Sequence, residues 1–137
     1  CYKRRAIEQT RELWRDRYHE TSVHWALTRA GETLFLHPAP QVDQMRDDLS
    51  LRRLLRERID WGRLFAYTRA RESALPERLL RAAASPLLPA LLLWRILRQT
   101  ANKGLPLVPA LTAAPTTLLL LVAWSAGEMI GYLTGRP

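Results

Sequence analysis

A chain of 137 residues is long enough for one small domain with appendages, and its single cysteine excludes an internal disulfide framework and a cysteine-based zinc site. The net charge of +8 is arginine charge, since Lys3 and Lys103 are the only lysines among 21 basic residues. From Leu105 onward the only charged side chains are Glu128 and Arg136, so a mean hydropathy of −0.20 averages a basic body and an apolar tail.

The chain opens on Cys1, with no apolar run of the signal-peptide kind, and reads as the C-terminal part of a longer polypeptide. Residues 3–17 mix both signs of charge and suit a solvated helix or loop. Val23, Ala26, Leu27 and Ala30 fall at i, i+3, i+4 and i+7, which predicts an amphipathic helix over 20–30 that Gly31 stops. "TLFLHP", 33–38, is short, apolar and closed by Pro38, and reads as a strand. "PAPQVDQMRDD" is a connector, with a further short extended piece at Val42. One or two short strands are therefore expected near 33–44 in a mostly α chain.

Ser50 is a good N-cap for a long helix over about 51–72. At ~100° per residue, Leu51, Leu54, Leu55, Gly62, Phe65 and Ala66 share one face. Arg53, Arg56, Asp60 and Arg63 lie opposite, with Asp60 spaced to pair with Arg56 and Arg63. Arg58 and Arg69 break the rule by projecting near the middle of the apolar face, which is costly unless each is paired or snorkels out. After Pro76 an apolar run broken by Pro86 and Pro89 is too short to span a bilayer, which needs ~20 residues, and reads as an interfacial or re-entrant helix pair. Trp94, Arg95 and Arg98 would stand at its polar edge. The stretch after Pro115 is long enough to span if Glu128 is tolerated.

Four groups of residues are candidates for chemistry. In "HETSVHWALTRAG", 19–31, His19 and His24 are five apart and point about 140° from each other, so they miss the four-residue spacing of a zinc-protease helix. Glu20 opens the same helix with His24 one turn on. A carboxylate so placed is a capping acid by the plain reading and a general base by the sharper one. Arginine-rich helices are usually solvated faces, but Arg58 lies beside Trp61 on an apolar face, where a guanidinium can hold a phosphate and an indole a sugar ring. Glu128 is either an intramembrane acid with a partner or an interfacial one, and nearby Tyr132 and Arg136 favour the interface.

Three segments, in order, resemble family-2 (GT-A type) glycosyltransferases of bacteria. "YHETSVHWALTRAGETLFLHPAPQVDQ" is similar to the acceptor-side segment, where an acid opens a helix and a strand ends in Pro. "LRERIDWGRLFAYTRARE" is similar to the interfacial helix with its Gln-Arg-x-Arg-Trp-like signature. "AWSAGEMIGYLTGRP" is similar to the apolar tail with Trp-x-x-Gly-Glu-x-x-Gly-Tyr. The resemblance covers roughly residues 15–137. It implies an inverting transferase that moves a sugar from a nucleotide-sugar donor to a glycan or lipid acceptor at the cytoplasmic face of a bacterial inner membrane.

Carried over, Glu20 is the catalytic base, and His19 and His24 lie on its substrate-binding side. Arg58 and Trp61 match the signature's first Arg and its Trp, beside the donor diphosphate and acceptor channel, and Arg63 matches the Arg after Gly. Glu57 and Asp60 depart from the signature, which points away from processive polymer synthesis. Gln44 stands where many members have a His near the metal, so no metal ligand is assigned in this chain. The Asp-x-Asp that holds Mg or Mn and the donor is absent from these residues, and the resemblance implies that it lies outside them. The implied organisation is 1–48 as the end of the α/β GT-A catalytic domain, 49–104 as amphipathic and interfacial helices, and 105–137 as a membrane-anchoring tail.

A rival needs no missing half: a non-enzymatic basic adaptor that binds membrane lipid through its arginine helices. Nucleic acid is not an expected partner, because the pI near 10.7 is its only support and no aromatic residues interleave with the arginines as a stacking platform requires.

Overall fold

A computed structural model describes residues 2–15, 20–35, 39, 41, 43, 45, 50–71 and 73–136. The chain divides into two compact units, Cys1–Arg46 and Asp47–Pro137. Both are helical throughout their regular structure, and no strand occurs among the described residues.

In the first unit the helices are α1 (Arg4–Gln9), α2 (Arg11–Trp14) and α3 (Glu20–Arg29). Thr10, buried between α1 and α2, turns its hydroxyl back onto the Ala6 carbonyl at 2.8 Å, and the Trp14 indole donates to the Ile7 carbonyl at 3.0 Å. So the mixed-charge N-terminal stretch is two short helices joined by side-chain-to-backbone bonds. In α3 the expected apolar stripe buries in part: Val23 is fully buried and Leu27 nearly so, whereas Ala26 is half-buried and Ala30 exposed. Gly31 ends the helix at φ 80°, with its own N–H on the Thr28 carbonyl and that of Glu32 on the Leu27 carbonyl. That pair of bonds is the Schellman closure, and it requires the left-handed glycine.

The expected strand over 33–38 is a correction. Thr33, Leu34 and Phe35 are irregular, and Phe35 is 87% exposed. Apolar residues make a strand only with a neighbour to complete the ladder, and no described segment offers one. Residues 36–38 and the extended piece expected at Val42 lie outside the described residues.

The second unit holds α4 (Leu51–Ala70), α5 (Leu75–Ala84), a 3-10 turn (Ser85–Leu87), α6 (Leu88–Asn102) and α7 (Leu107–Thr134). Ser50 caps α4 as expected, its hydroxyl accepting from the Arg53 N–H at 3.4 Å. The ion pair that α4 makes one turn apart is Arg53–Glu57 at 3.2 Å, rather than Asp60 with Arg56. Small residues bring α4 and α7 together. Gly62, Ala66 and Ala70 form a buried stripe on α4, and Ala123, Gly127 and Gly131 form another on α7. A Cβ placed on Gly62 would fall 2.2 Å from the Trp124 carbonyl oxygen; on Gly127, 2.2 Å from that of Ile59; on Gly131, 2.6 Å from that of Arg63. The backbones therefore touch, and the helices run in the same direction. Without a large apolar core, this dispersion contact between bare backbones is what holds them.

Leu75 to Asn102 is helical without a break, where two proline-broken pieces were expected. Pro89 lacks the N–H that would bond the Ser85 carbonyl in a regular helix. The chain tightens by one 3-10 turn, the Leu88 N–H takes that carbonyl, and the Ser125 hydroxyl of α7 donates to it as well. Pro115 likewise sits inside α7 and does not end it, so α7 runs 28 residues, about 42 Å. Both Leu75–Asn102 and Leu107–Thr134 are long and apolar enough to cross a membrane. Leu107, Val108, Leu111, Leu118, Leu119 and Val122 are exposed, whereas from Ala123 onward α7 is packed against the rest of its unit.

Candidate functional site

The residues singled out fall in both units. In the first, Glu20 is the opening residue of α3 and its side chain is 67% exposed. Its Oε1 lies 3.7 Å from His24 Nε2, and that same nitrogen is 2.7 Å from the Tyr2 hydroxyl. The imidazole is thus held by a phenol at 2.7 Å and paired more loosely with the carboxylate, which keeps most of its lone-pair capacity open to solvent. The orphan N–H groups of a helix start favour the anion. This geometry serves a first-turn acid paired one turn on, and it leaves a carboxylate that a hydroxyl can reach. His19 and Gln44 lie outside the described residues.

In the second unit Arg58, Trp61 and Arg63 are carried by α4 at the level where it meets α7. Trp61 is 44% exposed, and Arg58 is exposed as well. Arg63 is half-buried, its carbonyl oxygen against Gly131. A groove of about 300 Å³ opens beside Arg58, between Leu92 of α6 and Thr117, Leu120, Leu121 and Trp124 of α7. The start of α4 carries a wider, polar depression of about 580 Å³ lined by Ser50, Arg52, Arg53, Arg56, Glu57 and Asp60.

Behind the α4–α7 contact lies a polar cluster whose assembly the spacing of single residues did not reveal. Glu128 is 4% exposed, with Arg69 as the nearby countercharge and the Trp124 indole beside it one turn earlier. One carboxyl oxygen, Oε2, is buried with no partner among the described residues. Arg69 also stands 5.5 Å over the Phe65 ring and lies near the Tyr132 side chain. From α5, Arg81 stacks on Tyr132 at 6.0 Å and donates to Ser73 Oγ at 2.8 Å. Arg78 donates twice to the Tyr132 carbonyl, at 3.2 and 2.9 Å, satisfying an end of α7 that would otherwise be orphaned. The apolar-face Arg69 and the in-tail Glu128, each costly alone, thus answer one another. The signal for this was present as two rule-breaking charges of opposite sign, 59 residues apart and not paired by sequence reading.

Among the described residues no three His, Cys, Asp or Glu side chains gather in a way that could hold a metal ion, so none is given a part in binding one. No protein-family model, no curated protein and no solved structure matches this chain.

Proposed function

We propose that this chain is the C-terminal, membrane-facing part of an inverting glycosyltransferase that uses a nucleotide-sugar donor. The observation that carries the reading is the interlock of two motifs distant in sequence. The Arg58–Trp61–Gly62–Arg63 signature of α4 and the Trp124–Gly127–Glu128–Gly131–Tyr132 signature of α7 meet backbone to backbone, at their glycines. Segments that resemble successive parts of one enzyme family thus form one packed unit, with a basic amphipathic helix fixed to an apolar one long enough to cross a bilayer.

In this reading Glu20 takes the proton of the acceptor hydroxyl as that oxygen attacks the anomeric carbon from the face opposite the diphosphate. The bond from sugar to diphosphate breaks, the nucleotide leaves with its electron pair, and the configuration inverts. Tyr2 and His24 steady the carboxylate's surroundings. Arg58, Arg63 and Trp61 bind substrate, the guanidinium groups taking phosphate and the indole a sugar face. The divalent metal of such enzymes would neutralise the leaving diphosphate; its ligands and the donor-binding half are assigned outside these residues.

The test is release of nucleotide diphosphate by the full-length protein in membranes, across a panel of nucleotide sugars. One donor should turn over, and Glu20→Gln should abolish turnover while donor binding persists. Turnover near wild type in Glu20→Gln removes the base assignment. The exposed arginines along the start of α4 favour a second reading, a non-enzymatic adaptor for anionic lipid. It gains if no donor binds while anionic vesicles do.

A further inference from the structure

Arg58 makes no hydrogen bond, ion pair or ring contact with any described residue. The other arginine on the apolar side of α4, Arg69, is covered by Phe65, Tyr132 and Glu128. Arg58 instead faces the groove formed with Leu92, Thr117, Leu120, Leu121 and Trp124, of which all but the threonine are apolar or aromatic. Ile59 rests on Gly127, one turn beyond Trp124, so α4 carries Arg58 at the level of the Trp124 turn of α7. From there the α7 lining steps back through the half-buried Leu121, Leu120 and Thr117, beside the exposed Leu118 and Leu119.

A cation set against a hydrocarbon-lined channel matches the two halves of one amphiphile. We propose that this groove binds a membrane phospholipid with an anionic headgroup. The Arg58 guanidinium takes the phosphate in a forked, charge-assisted contact, and the Trp124 indole sits at the glycerol level. One acyl chain lies along Leu92, Leu120 and Leu121. A free phosphate would satisfy Arg58 and leave the leucine walls wet; a neutral chain would fill the walls and leave the guanidinium without a counterion. The inference rests on the membrane part of the reading above, and within that reading it gives Arg58 to a lipid phosphate in place of the donor diphosphate.

The experiment uses the full-length protein purified in detergent, with retained phosphatidylglycerol read by native mass spectrometry and glycerol phosphate as the soluble competitor. Wild type should retain phosphatidylglycerol, with glycerol phosphate failing to displace it at equal concentration. Arg58→Gln, at an exposed position, should keep its fold and lose affinity about ten-fold or more, the scale of one charge-assisted contact. Leu121→Trp, which fills the groove from its other wall, should lose it too. Unchanged retention in either variant overturns the site, and displacement by glycerol phosphate reassigns Arg58 to a soluble phosphate. Extraction of wild-type membranes with alkaline carbonate separates the two levels. Release of the protein removes the membrane reading itself, whereas a retained protein whose Arg58→Gln variant still holds the lipid removes only the groove.

Discussion

Glu128 and Arg69 show how two side chains that are each misplaced become admissible together. A carboxylate with 4% exposure and one unpartnered oxygen is destabilising unless a countercharge stands near, and Arg69 supplies it from another helix. Removing one partner should therefore cost more than removing both. Arg69→Met in the full-length protein is expected to lower stability by about 1–3 kcal/mol, and adding Glu128→Gln should recover most of the loss. Thermal unfolding in detergent measures both; additive losses would mean that the two do not share one interaction. Sequence spacing exposed Arg58 and Arg69 as exceptions on one face but could not tell them apart. The difference lies in which neighbour each meets: an acid and two rings for Arg69, and a groove without a counterion for Arg58.

Among the elements, α3 and α4 are legible because their determinants are local: a period of 3.6, a serine cap, a glycine stop. The apolar piece at 33–35 misleads because a strand needs a partner that no local pattern contains. The prolines mislead in the opposite sense. Pro86, Pro89 and Pro115 suggest breaks, yet the freed Ser85 carbonyl finds the Leu88 N–H and the Ser125 hydroxyl, and the helices continue. The glycine contact between α4 and α7 was half visible, as motif glycines on one helix and an apolar-face glycine on the other. Since an added methyl at Gly127 would meet the Ile59 carbonyl at 2.2 Å, Gly127→Ala must force the helices apart. A loss of about 1–3 kcal/mol is expected. Leu111→Ala, at a 56% exposed side chain, should stay within about 0.5 kcal/mol. Equal effects from the two substitutions would contradict a backbone-contact interface.

For the second unit as a whole, α7 is two things in one helix: a largely exposed apolar half and a half packed into the unit, with α4, α5, α6 and the 3-10 turn all against the helix. The jump in composition after Leu105 made the apolar half readable; the packed half depended on contacts with residues sixty positions earlier. If the exposed half is in lipid, a charge there should weaken membrane retention without disturbing the packing. Leu119→Arg, at a side chain 43% exposed, should cost insertion about 2.5–3.5 kcal/mol and raise the fraction released by alkaline carbonate. Its helical content should be unchanged. Release equal to wild type would remove the lipid assignment for that face.

The carboxylate at the start of α3 is exposed, and in the proposed function it removes the proton from a sugar acceptor. The most direct test of that role is single-turnover transfer by the full-length protein, wild type against Glu20→Gln, with donor affinity measured in parallel. The expected result is a fall of about 10²–10⁴-fold in the transfer step with donor affinity within about two-fold of wild type, the signature of a lost general base. Transfer at the wild-type rate in Glu20→Gln, or no nucleotide-sugar turnover in wild type at all, contradicts it.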